Sequence, residues 1–421
     1  MSNFTSLFSL QATNFILPLL VFPYLIRVVG VEKFGLISFA QAVTAYLMVF
    51  TDYGFNLSAT REIAINKSDQ KKLISIIDAV FTTKFFLCIV GLLALVLSVL
   101  LFPKLRDEWL LFILSFTMVI GYMLQPIWFF QGMEQMRYIA YLNLITKLLF
   151  TGLVFVFIRT PSDYLLANLF QGLGSIASAL ISLWVVRKKF GFTIHLAGLQ
   201  QVKHQLKSGW HIFVSNFSIN VYINSNLFIL AVFANNTIIG YYSIAEKVIF
   251  ALRQLLGVFS QVVYPYICNL TLQSHSKIQR FFKMVYTPFA IFIFIICALL
   301  CMFSDQVVVI LAGKQVAEIS RLIRILSFVP FIVLLNIPAY QTLLAYNFKQ
   351  SYSSILTIGS VLNIILNFIL SYTFSATGTA AAVIITEIFI TAGLYLILET
   401  RHSRYSLFKI QSQTAYEDIR K

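Results

Sequence analysis

Charged side chains stand inside otherwise apolar stretches of this chain, among them Lys147, Glu246, Lys247, Arg253 and Glu387. A charge at the centre of a membrane-spanning helix costs about 2.5–3.5 kcal/mol on insertion scales, so such groups usually face a partner or a water-accessible path. Glu246 and Arg253 are spaced by two helical turns, as are Lys247 and Gln254, and Gln261 follows at the same interval. Two turns restore nearly the same direction, which makes one broad polar face with Gly257 and Ser260 beside it. Ile249, Leu252, Leu256 and Val263 form the opposite, apolar face. Cations and amides on one face can line a water-accessible lumen, and they can equally serve as interhelical glue.

A second polar face carries Gln41, Asp52 and Asn56, where Asp52 reads either as a brace at a helix end or as a substrate or proton site. Asn216, Asn220 and Asn224 recur every fourth residue, a spacing that suits helix packing or a polar lining. Thr13, Asn14 and Pro18 give the first apolar stretch a polar side. Lys147 lies mid-span and is read as facing inward, whereas Lys84 lies closer to an interface, where its long stem is expected to snorkel. Glu387 is the candidate for a coupling proton. The candidate substrate-binding set is thus Lys247, Arg253, Lys147, Gln41, Asn56, Gln254 and Asn220, with Glu246, Asp52 and Glu387 as coupling or ion candidates.

Catalytic signatures are missing: there is no P-loop, no Cys/His metal-ligand spacing and no long loop to house a catalytic domain. No cofactor and no metal is expected. Cys88, Cys268, Cys297 and Cys301 lie in or at the ends of apolar runs and read as small hydrophobes.

The elements that must position these groups follow from composition. Of 421 residues, 59% are hydrophobic and 11% charged, and the mean hydropathy is +0.84. That balance excludes a water-soluble domain and predicts an all-α polytopic membrane protein. Apolar runs between charges and Gly, Pro or Asn breaks predict twelve transmembrane helices, the first six near 5–27, 35–55, 79–102, 109–131, 138–158 and 164–186. The other six fall near 209–233, 238–266, 282–304, 322–346, 351–373 and 379–398. The breaks at Ala234-Asn235-Asn236-Thr237 and Ser375-Ala376-Thr377-Gly378-Thr379 are the weakest.

This gives two six-helix bundles, 1–190 and 209–400, joined by an amphipathic linker, 191–208, and followed by a tail, 401–421. In the linker, Leu196, Leu199, Val202 and Leu206 share one helical face. The net charge of +15 suggests anionic lipid and not nucleic acid, because the basic residues gather in loops. The ends at 56–78, 131–138, 187–208, 267–283 and 347–350 and the C-terminus hold more than twice as many lysines and arginines as the opposite ends, so they and both termini are expected to be cytoplasmic. The uncharged stretch Met1–Ile26 lacks a basic leader pattern and reads as a retained first helix.

Phe34-Gly35-Leu36-Ile37-Ser38-Phe39-Ala40-Gln41 aligns with Ile239-Gly240-Tyr241-Tyr242-Ser243-Ile244-Ala245-Glu246. The match pairs the second span with the eighth, as parallel six-helix halves require.

Pro23-Tyr24-Leu25-Ile26-Arg27-Val28-Val29-Gly30, Phe34-Gly35-Leu36 and the block from Thr51-Asp52-Tyr53-Gly54-Phe55-Asn56 to Thr60-Arg61-Glu62 resemble bacterial polysaccharide-repeat flippases of the O-antigen (Wzx) type. Phe130-Gln131-Gly132-Met133-Glu134, Ala245-Glu246-Lys247 and Tyr264-Pro265-Tyr266 extend the likeness into both halves. The resemblance implies membership of the multidrug/oligosaccharidyl-lipid/polysaccharide exporter superfamily, with a cationic cavity between two bundles in the inner membrane. It also implies transfer of an undecaprenyl-diphosphate-linked oligosaccharide, such as an O-antigen repeat unit, to the periplasmic leaflet. Membrane lipids and polysaccharide polymerase machinery are the implied partners. Rival expectations are an exporter of teichoic acid, capsule or a cationic drug, and a membrane-embedded glycosyl transferase or polymerase. The drug reading wants an anionic cavity, and the enzymatic reading wants a large outward loop that is missing.

Overall fold

The computed structural model describes residues 2–191, 193 and 195–407. The side chains of 2–16, 18, 19, 215, 218, 219, 221–223 and 404 lie outside the description, so the expectations for Thr13, Asn14, Pro18 and most of the tail fall outside it too. Among the described residues there are helices and no strands. A backbone in hydrocarbon must satisfy its own hydrogen bonds, and helices do so within one segment.

The helices are α1 (Ser2–Asp52), α2 (Phe55–Ile65), α3 (Gln70–Leu101), α4 (Pro103–Arg106), α5 (Trp109–Leu124), α6 (Ile127–Gly132), α7 (Met136–Phe157) and α8 (Tyr164–Phe190). There follow α9 (Leu199–Phe233), α10 (Asn236–Thr271), α11 (His275–Phe281), α12 (Thr287–Met302), α13 (Ser304–Ala312), α14 (Ala317–Leu326), α15 (Val329–Ala345) and α16 (Lys349–Arg401). Among the described residues, nine helical stretches are long and apolar enough to cross a bilayer. Two of them, Leu20–Ile65 with 46 residues and Lys349–Arg401 with 53, have length for two crossings each. The first bends at Gly30, whose φ of 81° and ψ of 164° lie outside the range of residues with a Cβ. The second bends at Ser375. The chain also breaks between Phe233 and Asn236, so both weak sequence breaks are real.

The chain divides into two compact units, Met1–Gly240 with Ile310–Gly313, and Tyr241–Val309 with Lys314–Lys421. In the first unit, α5 and α8 pack along each other and α8 packs on α7. An aromatic core at its basic end gathers Tyr53, Phe55, Phe81, Trp128, Phe129 and Phe130. In the second, α15 packs on α16, and α10, α11, α12 and α15 enclose Leu256, Ile267, Ile278, Cys297 and Leu334.

The aligned glycines of the two repeats meet in the first unit. A Cβ on Gly35 would collide with the backbone of Asn236 and Gly240, and one on Gly240 with the carbonyl of Val31. Glycine at both positions is what lets α1 and the start of α10 touch backbone to backbone.

Helix α9 starts at Leu199 and runs unbroken into the seventh apolar stretch, so Leu199, Val202 and Leu206 of the linker's apolar face lie on it. Leu206 packs against the aromatic core and Val202 is buried, whereas Leu196 and Leu199 stay exposed. The segment before α9 is a strap: the His195 amide donates to Asp78 Oδ1 at 2.8 Å and the Ala197 amide to Thr82 Oγ1 at 2.9 Å. Hydrogen bonds to α3 hold the residues just before the helix because the strap's amides find acceptors there.

Candidate functional site

In the first unit the polar groups assemble where α1 ends. Gly54, at φ 81°, turns the chain from α1 into α2, and Asp52 is thereby held inward. Lys84 of α3 reaches it: Nζ lies 3.6 Å from Asp52 Oδ1, and the two side chains are 1% and 9% exposed. Lys84 Nζ also lies 3.4 Å from the Tyr122 carbonyl and 5.4 Å from the centre of that ring. Lys84 therefore does not snorkel. Its stem points between helices, and a carboxylate, a carbonyl and an aromatic face supply what interfacial water would have supplied.

Asn56 joins the same cluster by donating to the Tyr122 hydroxyl at 3.0 Å. Gln41, one face higher on α1, is committed to α8: Nε2 donates to Asn168 Oδ1 at 3.0 Å and to Gln171 Oε1 at 3.1 Å. Asn168 in turn donates to the Ile37 carbonyl and to Ser115 Oγ. Gln41 and Asn56 thus belong to separate networks. Lys147 is half-buried on α7. On α9, Asn224 donates to the Asn220 carbonyl and Asn220 to the Asn216 carbonyl, so those amides bond along their own helix.

The family-like blocks around Thr60 and Gly132 are neighbours in space. Thr60 Oγ1 donates to the Trp128 carbonyl at 3.1 Å, and Gly132 sits against Ile63 and the Thr60 carbonyl. Just beyond, Lys67 Nζ lies 2.7 Å from Glu134 Oε1, and that cation holds the exposed Glu134 carboxyl below its ordinary range.

In the second unit, Arg253 of α10 is ion-paired with Glu387 of α16. The Arg253 side chain is 34% exposed and Glu387 only 7%, so the carboxylate is sealed and the guanidinium is partly open. Glu246 and Lys247 are half-buried on α10, while Gln254 and Gln261 are exposed. Further along, Ser260 Oγ bonds the Tyr340 hydroxyl, and Gln341 Nε2 donates to Ser260 O at 2.9 Å and Oγ at 2.8 Å.

The spacing argument singled out both members of the Arg253–Glu387 pair without pairing them. It missed Asn168, Gln171, Tyr122, Tyr340 and Gln341. Asn168 and Gln171, one turn apart in an apolar span, carried a readable signal. The partners of Asp52 and Ser260 did not, because they are remote in sequence. Among the described residues no three His, Cys, Asp or Glu side chains group as metal ligands.

Comparison with known proteins gives this architecture a context. The chain is 30% identical over 383 residues to the "Putative O-antigen transporter" of Escherichia coli (strain K12), covering 91% of this chain and 92% of that protein. It shares its fold with the lipid II flippase MurJ in an inward closed conformation, with a TM-score of 0.69, 14% identity and coverage of 98% of this chain and 95% of that one. An inward-facing multidrug resistance MATE transporter of the MOP superfamily gives a TM-score of 0.69 at 11% identity, covering 92% of this chain and 94% of that one. The names of these relatives are those of transporters and a flippase. With residues 1–271 matching the family described as polysaccharide biosynthesis protein, this multi-pass membrane protein belongs to that family and shares the fold of these MATE and MurJ structures.

Proposed function

We propose that the chain is a flippase that carries an undecaprenyl-diphosphate-linked oligosaccharide repeat unit from the cytoplasmic to the periplasmic leaflet of the inner membrane by alternating access. Twelve crossings in two six-helix halves, with both termini cytoplasmic, complete the proposal. The observation that carries it is the similarity to an O-antigen transporter along nine-tenths of both chains. The likeness in fold to a lipid II flippase supports the same reading.

The physical problem is moving a diphosphate through hydrocarbon. Lys247, Arg253 and Lys147 are cations placed within apolar helices and can substitute for lost hydration. The lipid tail stays in the bilayer. Arg253 has a resident anion, Glu387, so the diphosphate competes with that carboxylate for the guanidinium. Release of Glu387 from Arg253 as the diphosphate binds gives the site a coupling step. Outward movement of anionic charge from a negative interior gains about 2.3 kcal/mol per charge per 100 mV, so membrane potential assists unless protons cancel the charge.

The decisive assay is leaflet accessibility of the lipid-linked repeat in cells bearing Arg253→Ala, Lys247→Ala or both, at normal membrane levels of protein. Loss of outward-leaflet repeat units supports the reading. Unchanged export in all three overturns the assigned roles.

A further inference from the structure

At the lysine- and arginine-rich end of the first unit, α2, α3 and the start of α9 enclose a pocket of about 310 Å³. It is separate from the Asp52, Gln41 and Arg253 clusters. Glu62, Ser75, Gln201, His204 and Gln205 give it polar walls, and Ile76 and Ala79 form an apolar floor.

The walls are tied in place. Gln205 Nε2 donates to Glu62 Oε2 at 3.0 Å, and Gln201 Nε2 donates to Ser75 Oγ at 3.2 Å. The Gly198 amide donates to Gln201 Oε1 at 3.2 Å, and the strap before it is fastened to Asp78 and Thr82. One group is left over. Gln205 is 4% exposed, yet its Oε1 accepts no hydrogen bond. A buried acceptor without a donor costs about 1–3 kcal/mol, which a ligand hydroxyl removes.

The chemistry selects the ligand. Glu62 repels phosphate, and one carboxylate set among amides, a hydroxyl and an imidazole matches groups that donate and accept at once. Sugar hydroxyls do both, and a sugar ring has an apolar C–H face to set against Ile76 and Ala79. The volume lies at the lower end of small-molecule sites and fits one or two rings.

We propose that this pocket docks sugar residues of the lipid-linked substrate before translocation. The inference rests on the flippase reading for its setting, because a saccharide is presented at this end only if that end is cytoplasmic.

The test compares two lipids in proteoliposomes of the full chain: undecaprenyl diphosphate bearing an N-acetylhexosamine-containing disaccharide, and bare undecaprenyl diphosphate. For Gln205→Leu, and for the exposed rim variants Gln201→Ala and His204→Ala, the half-saturating concentration of the disaccharide lipid rises about three- to tenfold, the range for one or two lost hydrogen bonds. The maximal rate and the bare lipid stay as in wild type. No shift, or an equal shift for both lipids, in the rim variants overturns the pocket. If wild-type protein moves neither lipid, the flippase reading fails instead. The pocket is then judged by saturation-transfer NMR with the free disaccharide and nanodisc-embedded protein. Transfer that is present in wild type and lost in Gln205→Leu or His204→Ala upholds it, and no transfer in wild type overturns it.

Discussion

Asp52–Lys84 in the first unit and Arg253–Glu387 in the second are both ion pairs between helices, but their surroundings differ. Lys84 is 1% exposed with Asp52 at 9%, whereas Arg253 is 34% exposed beside a Glu387 at 7%. The first pair is closed on every side, with the Tyr122 carbonyl and ring completing the shell. The second pair leaves part of its guanidinium exposed. An intramembrane charge is therefore not by itself a transport residue: sealed pairs hold helices, and half-open pairs are available for function.

The comparison can be broken by removing one member of each pair. Lys84→Ala leaves Asp52 buried and uncompensated, so it destabilises the protein by about 3–5 kcal/mol. Thermal unfolding in detergent would read this as a large drop in melting temperature, and a melting temperature equal to wild type would refute the brace. Replacing both members, as Asp52→Leu with Lys84→Met, is expected to recover most of the loss, since an apolar replacement of a buried pair is often neutral.

Arg253→Ala combined with Glu387→Gln, which leaves no buried carboxylate uncompensated, is expected to behave differently, with folded protein at near-normal membrane levels and repeat-unit translocation down about ten- to hundredfold, the range for one charge-assisted hydrogen bond. An equal collapse of protein level and transport would place Arg253 with Lys84 as a brace. Glu387→Gln sharpens the point because it preserves shape while removing the competing charge. Initial rates in this variant should lose their response to an imposed proton gradient, and a retained response would take the coupling role away from Glu387.

The smallest effect belongs to Lys67→Ala. Glu134 is held below its ordinary range by Lys67, so the pair's contribution is present at neutral pH and is lost as pH falls through the depressed Glu134 value. Because Glu134 is exposed, stability at neutral pH should barely move. A marked loss on unfolding at neutral pH would show that the contact between the Thr60 and Gly132 segments depends on this pair.

Much of the fold was legible because a bilayer imposes a simple rule: long apolar runs must become helices. Breaks at Gly30, Asn235 and Ser375 were visible as interruptions in those runs. The site was less legible. Helical spacing grouped Arg253 with Glu246 on one face, but it could not bring Glu387 to Arg253 across 134 positions. Nor could it distinguish a snorkelling Lys84 from a buried one, because that depends on whether α1 presents Asp52 at the same depth. Amphipathic spacing placed Leu199, Val202 and Leu206 on a helix, as α9 has them, but it could not show that the residues just before are tied to acceptors on α3.

By itself, the sequence determined that this chain is helical, membrane-embedded and cation-bearing within its spans, because hydropathy and periodicity are local properties. It also aligned Gly35 with Gly240, though it could not show that the two would touch. Only the tertiary structure decided which charge meets which, how deeply each pair is sealed, and where an unpaired amide lines a pocket. Those outcomes depend on contacts between residues far apart in the chain, and no local pattern encodes them.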